Sequence, residues 1–336
     1  MRYVRSLDGI RAICVLLVVC QHTSGKPWWI NGSVGVDIFF ALSGFLITTL
    51  LVREYERDGT VSLKGFYVRR VCRIVPLYFL TIALYFPSVW ITAIALHDMS
   101  GVEHFRGAFP WLITFNSELR PAAAGNLFGH AWTLGIEEKF YVLWPLAILP
   151  VLALGRRSLV LLPLLLIFLP WPLMFRGYVG ITCGVVMSLL IERGGARALI
   201  ARIPTAFWVA ALAAAYIITF ATPDERVNIL IAVAAALLVA SLVHNPGSLT
   251  DRILSTRPLP FLGVLTYAIY LTHRLVGNAV EAAFAIGHVQ ETFWVGALLV
   301  YGLTIPVAYL LHIVIEKPAI AYGKRLTRGG KVRVTE

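Results

Sequence analysis

Charge is what this sequence has least of. Only 14% of its 336 residues are Asp, Glu, Lys or Arg, while 58% are hydrophobic and the mean hydropathy is +0.78. Soluble globular proteins carry about 25% charged residues. So little charge cannot clothe a water-facing surface, which excludes a soluble enzyme and a soluble domain on a single anchor. Acidic residues are the scarcer kind, 18 against 29 Lys and Arg, for a formal charge of +11. No nucleic-acid partner is expected from that excess, because the cations cluster between apolar runs, as the positive-inside rule requires. Cysteine is sparse as well. Cys14, Cys20, Cys72 and Cys183 stand apart in apolar segments, with neither metal nor disulfide spacing, and suit small core positions. The sequence has no P-loop, no Rossmann glycine pattern, no zinc spacing and no Gly-x-Ser-x-Gly. Ser43-Gly44 therefore serves close helix approach rather than a nucleophile elbow, and no metal is expected.

What is present is a succession of apolar runs, at about 7–24, 35–53, 74–92, 131–153, 158–174, 177–191, 205–221, 227–243, 260–283 and 292–315. They predict an all-α integral membrane protein with about ten transmembrane helices in a lipid bilayer. Met1–Arg5 resembles the start of a signal peptide, but Asp8 and Arg11 interrupt the apolar run and no Ala-x-Ala site follows, so an uncleaved first span is expected. The run at 108–115 is too short to cross a bilayer and is expected to be re-entrant or half-buried. With the amino terminus inside, segments 1–6, 53–73, 154–158, 192–204, 244–259 and the tail, all bearing Arg or Lys, fall on one side, which places both termini in the cytoplasm. Residues 1–318 form one membrane domain in this reading, and 319–336 a basic cytoplasmic tail.

Ionisable groups inside apolar runs are costly and need a reason. Arg11 and His22 lie eleven positions apart, which at 100° per residue is about 20° from a whole number of turns. Arg11, Val15, Val18 and His22 therefore share a helix face roughly 16 Å long, with Asp8 at i−3 from Arg11. A lone membrane histidine often serves only as a hydrogen-bonded core group. A neutral imidazole is also the side chain best suited to take a proton from a hydroxyl near neutral pH. Asp37 opens the second span, either as a carboxylate meeting the helix dipole or as the orienting partner of a histidine. The densest constellation is His130-Ala-Trp132-Thr-Leu-Gly-Ile-Glu137-Glu138-Lys139-Phe-Tyr141. Adjacent carboxylates point about 100° apart, so Glu137 and Glu138 cannot share one partner, and Lys139 neutralises one of them at most. Arg69, Arg70 and Arg73 lie in an inner segment that is basic in any case, yet at i, i+1 and i+4 they open a helix beside the membrane, where Arg69 and Arg73 share a face suited to phosphates. Tyr267, Tyr270 and His273 recur at intervals of three on one side of a span, as core hydrogen-bonders or as part of a site.

In this order the motifs resemble the membrane acyltransferase 3 family. They are Leu7-Asp-Gly-Ile-Arg11 with Arg11-x10-His22; Gly35-Val-Asp37-Ile-Phe-Phe with Leu42-Ser-Gly-Phe-Leu-Ile47; Arg69-Arg-x-x-Arg73-Ile-x-Pro76; His130-x-Trp-Thr-Leu-x-x-Glu-Glu-x-Phe-Tyr141; and Tyr267-x-x-Tyr-Leu-x-His273. The resemblance covers Leu7 to about Pro318. It implies a ten-span protein of the bacterial plasma (inner) membrane. It also implies an acyl-CoA, first of all acetyl-CoA, as donor, and a hydroxyl on a sugar-containing acceptor, either a cell-surface polysaccharide or a glycosylated metabolite such as a macrolide. His22 is implied as the essential histidine, and Arg11, Arg69, Arg70 and Arg73 as donor-binding cations. In the reading that follows, His22 acts as general base, with Asp37, Glu138 and Glu137 as catalytic carboxylates. His130, Trp132, Tyr141, Tyr270 and His273 then line the substrate. Some members carry a further carboxy-terminal esterase-like domain; none is expected between Pro318 and Glu336. The competing reading is a transporter or flippase of acyl groups or lipid-linked sugars without bond chemistry. A base with carboxylate partners, and no paired inverted repeats, favours the enzyme.

Overall fold

The computed structural model describes residues 3–125, 127–155, 176–222 and 227–328. Among these there is no β-strand. The helices are α1 (Arg5–Gln21), α2 (Ser33–Asp58), α3 (Leu63–Leu96), α4 (Ser100–Ile113), α5 (Trp132–Ala153), α6 (Arg176–Glu192), α7 (Arg197–Arg202), α8 (Thr205–Ala221), α9 (Val227–His244), α10 (Leu249–Leu254), α11 (Pro258–Val264), α12 (Thr266–Ile286), α13 (Phe293–Leu311) and α14 (Lys317–Arg328). A π-helical turn at His312–Glu316 joins the last two.

Among the described residues α2, α3, α9 and the continuous stretch Phe293–Thr327 are long and apolar enough to cross a membrane. The pair α11–α12, bent by 75°, makes a fifth if it counts as one span. The expected count of about ten is larger for physical reasons. Helices α1, α6 and α8 have 17 residues each, short of the roughly 20 an upright crossing takes. Helix α5 carries Glu137, Glu138 and Lys139 in its second turn. The span expected at about 158–174 lies outside the described residues. The run at 108–115 is the end of α4, a helix of 14 residues with Ala108 and Leu112 buried and Phe109 and Ile113 exposed, so it is half-buried and too short to cross.

The largest departure from expectation is α3. It starts at Leu63, six residues before the arginines expected to open it, so the whole basic segment is helical and Pro76, expected near the first turn, lies well inside. Ser62 makes that start possible, its hydroxyl accepting from the Gly65 N–H at 3.3 Å.

The chain forms two compact units. One comprises Met1–Gln21, Trp28–Val61 and Leu143–Thr266; the other comprises His22–Pro27, Ser62–Val142 and Tyr267–Glu336. The first is held by α2 packing on α6. A Cβ on Gly184 would lie 2.0 Å from the Ala41 carbonyl oxygen, and one on Gly44 would lie 2.1 Å from that of Ile181, so only glycine allows this approach. Phe45, Ile231, Val239 and Leu242 fill the core beside it. The second unit has an aromatic centre. Tyr78 stacks on Phe115 at 4.3 Å and donates to the Leu112 carbonyl at 2.9 Å, while Tyr85 packs on Phe128 at 4.7 Å.

Candidate active site

Three imidazoles converge in the second unit. Helix α1 stops at Gln21, so His22 sits in the following turn rather than at the end of a helical stripe. His130 is carried by a short 3-10 turn, Gly129–Ala131, whose entry requires Phe128 to adopt φ +55°. His273 comes from the second turn of α12. Ring centroids are 5.0 Å apart for His22 and His273, 4.6 Å for His130 and His273, and 6.1 Å for His22 and His130. His22 is half-buried, while His130 and His273 are 5% and 1% exposed.

Hydrogen bonds fix two of the rings. His273 Nε2 lies 3.3 Å from His22 Nδ1, and His273 Nδ1 donates to the Tyr270 carbonyl at 2.7 Å. Tyr270 Oη donates to the His130 carbonyl at 2.8 Å and stands 2.6 Å from Thr133 Oγ1. Arg274 Nη1 donates to the His22 carbonyl at 3.0 Å and pairs with Glu281 at 3.3 Å. Ser24 Oγ also donates to Glu281, at 3.2 Å. The ring nitrogens of His130 are buried without a hydrogen bond of ordinary geometry. Burial, then the His273 and His22 rings and Arg274, push its pKa well below the usual 6.5, against a weak opposing effect of the Leu271 main chain. His130 is therefore a neutral ring with polar atoms to spare. Among the described residues no group of three or more His, Cys, Asp or Glu has metal-holding geometry.

A second cluster in the same unit gathers part of the remaining prediction. The Arg70 guanidinium lies 4.8 Å over the Tyr141 ring and 5.6 Å over Phe66, close enough to feel both Glu137 and Glu138. The three arginines of α3 do not act as one patch. Arg70 is half-buried, whereas Arg69 and Arg73 are exposed on the helix surface. Trp132, half-buried, opens α5 two residues after His130. Lys139 does not neutralise a neighbour in sequence. It is taken by Glu118 and by the Phe115 carbonyl, at 2.9 Å from the latter.

Two predicted residues belong to the first unit. Arg11 pairs with Asp8, the i−3 partner read from the sequence, and Asp8 also accepts from the Tyr3 hydroxyl. Asp37 is 1% exposed and binds the Arg176 guanidinium with both oxygens, one of them at 2.8 Å. Within its own unit this is a fork-to-fork ion pair. Sequence reasoning missed Arg176, Arg274, Glu281 and Thr133. Arg274 and Glu281 gave a signal, since two ionisable groups within one apolar span call for each other.

Helices long and apolar enough to cross a membrane, with no strand among the described residues, mark a multi-pass membrane protein. The family model described as an acyltransferase domain matches residues 4–313, and the chain belongs to this family, acyltransferase 3. It is similar to YrhL of Bacillus subtilis (strain 168), provisionally named a peptidoglycan O-acetyltransferase, with 31% identity covering 96% of this chain and 56% of the relative. It is likewise similar to OatA of Listeria monocytogenes, named a peptidoglycan O-acetyltransferase, with 28% identity covering 94% of this chain and 56% of the relative. A protein of Staphylococcus aureus (strain COL) provisionally named an O-acetyltransferase shares 27% identity over 95% of this chain. The chain thus spans little more than half the length of these relatives. No solved structure matches it.

Proposed function

We propose that this domain moves an acyl group, acetyl in the first instance, from acyl-CoA to a hydroxyl of a sugar-containing acceptor. The acceptor is a cell-surface polysaccharide, peptidoglycan first, or a glycosylated metabolite such as a macrolide. The observation that carries the reading is the convergence of His22, His130 and His273 within a domain of the acyltransferase family.

In this mechanism His22 takes the proton of the acceptor hydroxyl as its oxygen attacks the thioester carbonyl. The C–O bond forms, and His130, neutral and with polar atoms to spare, donates to the developing oxyanion. The C–S bond then breaks, and the imidazolium of His22 returns its proton to the departing thiolate, so that CoA leaves as the thiol. Arg69 and Arg73, exposed on α3, hold the CoA phosphates. Trp132 and Tyr270 border the acceptor. Arg70, Tyr141, Glu137 and Glu138 form the polar cluster beside it, with both carboxylates near the Arg70 guanidinium. Asp37, held by Arg176, keeps a structural role. The chain crosses the bacterial inner membrane about ten times, with both termini and the basic tail in the cytoplasm.

The test is thioester consumption by purified protein in detergent, with acetyl-CoA and a soluble peptidoglycan fragment. Wild type is expected to release CoA and acetylate the fragment, and His22→Ala to lose about 10²- to 10⁴-fold in rate. Equal slow release by both, with acceptor present, sinks the reading in favour of a carrier that makes no bonds.

A further inference from the structure

A line of hydrogen bonds leads from the main chain to the proposed base, and each bond fixes the next. The Tyr270 carbonyl can only accept, so the proton of that 2.7 Å contact belongs to His273 Nδ1. A neutral His273 then has no proton on Nε2, which must accept. Its neighbour at 3.3 Å, His22 Nδ1, must therefore be the donor. That assignment leaves the basic lone pair of His22 on Nε2. The frame around the line is firm. Tyr270 is tied through its hydroxyl to the His130 carbonyl and Thr133, and the His22 main chain is held by Arg274.

We propose that His273 is a positioning residue that fixes the tautomer of His22, making Nε2 the atom that takes the proton, and that shares the positive charge once His22 is protonated. This rests on the acyl transfer proposed above. Catalytic histidines elsewhere are commonly oriented by a buried carboxylate on the second ring nitrogen. Here a second imidazole stands in that place. In an apolar setting an uncharged acceptor has the advantage of needing no counter-ion in the resting enzyme. When His22 gains the acceptor's proton, its Nδ1–H bond to His273 becomes charge-assisted and shortens. The charge extends over the second ring towards the Tyr270 carbonyl.

The experiment pairs two substitutions with a spectroscopic measurement. His273→Leu cannot accept a hydrogen bond, whereas His273→Gln presents an amide oxygen near the position of Nε2. His273→Leu is expected to lose about 10²- to 10³-fold in kcat with the KM for acetyl-CoA within about twofold, and His273→Gln to recover most of that loss. Nitrogen-15 NMR of histidine-labelled wild type in detergent reports the tautomer whether or not the variants fold. His22 should carry its proton on Nδ1, and this preference should disappear in His273→Leu. A wild-type His22 protonated on Nε2, or equal losses in both variants with the tautomer unchanged, overturns the proposal. An unchanged rate for His22→Ala would instead remove the function while leaving the tautomer assignment standing.

Discussion

At the scale of single residues, buried charge decides most outcomes. Arg176→Met leaves the Asp37 carboxylate buried and alone, a loss of about 3–5 kcal/mol, and adding Asp37→Asn should restore most of it. Thermal unfolding of the two proteins in detergent checks this; failure of the double variant to recover would show that an unpaired Asp37 carboxylate is not the source of the loss. His130 yields a pH prediction. Its pKa in the folded protein is below the ordinary value, so the unfolded chain binds the extra proton first. The neutral ring's contribution is complete above about pH 6.5 and is lost as pH falls below it, by at most about 1.4 kcal/mol per unit. Melting temperature measured from pH 8 to 5 should decline on the acid side in wild type and less steeply in His130→Asn. The site histidines were legible because an imidazole in an apolar run is expensive. The ion pairs of other predicted residues were not. Arg176 lies 139 positions from Asp37, and Lys139 passes over two adjacent carboxylates for Glu118.

At the scale of elements, the α2–α6 crossing depends on backbone-to-backbone contact. Gly184→Ala places a methyl group where a carbonyl already is, and is expected to cost about 1–3 kcal/mol, read as a lower melting temperature. The division of labour along α3 predicts two behaviours. Arg73→Ala should weaken acetyl-CoA binding most at low salt, because exposed charges are screened by ions. Arg70→Lys should instead be salt-insensitive, since it loses the flat stacking of guanidinium on Tyr141. Titration calorimetry at two ionic strengths separates them. Among the described residues, helices stand at the runs near 35–53, 205–221 and 227–243 as expected, whereas the run at 260–283 is broken into α11 and α12, bent by 75°. The start of α3 was hidden because hydropathy registers only the greasy part of a helix, while Ser62 caps its charged part. The end of α1 was hidden too, for no breaker residue stands between Gln21 and His22.

At the scale of the molecule, the proposed topology makes a labelling prediction. In a variant with Cys14, Cys20, Cys72 and Cys183 replaced, a new cysteine at Arg197 or Lys324 should react with impermeant maleimide only in inverted vesicles, and one at His97 only in intact cells. Labelling of Lys324→Cys from outside would overturn the cytoplasmic tail. The membrane class was legible from composition alone, since a chain with 14% charge has no other home. The partition into two units was not, because each is assembled from three separate stretches and α5 contributes to both.

The unbroken length of α3 has a mechanical consequence. Thirty-four residues at about 1.5 Å each make a rod of about 51 Å, against roughly 30 Å of hydrocarbon. The surplus must either lean or stand clear of the lipid, and the arginines near one end travel with it. In vesicles of graded acyl-chain length the KM for the donor should shift as the rod tilts, while the imidazole chemistry keeps its own pace.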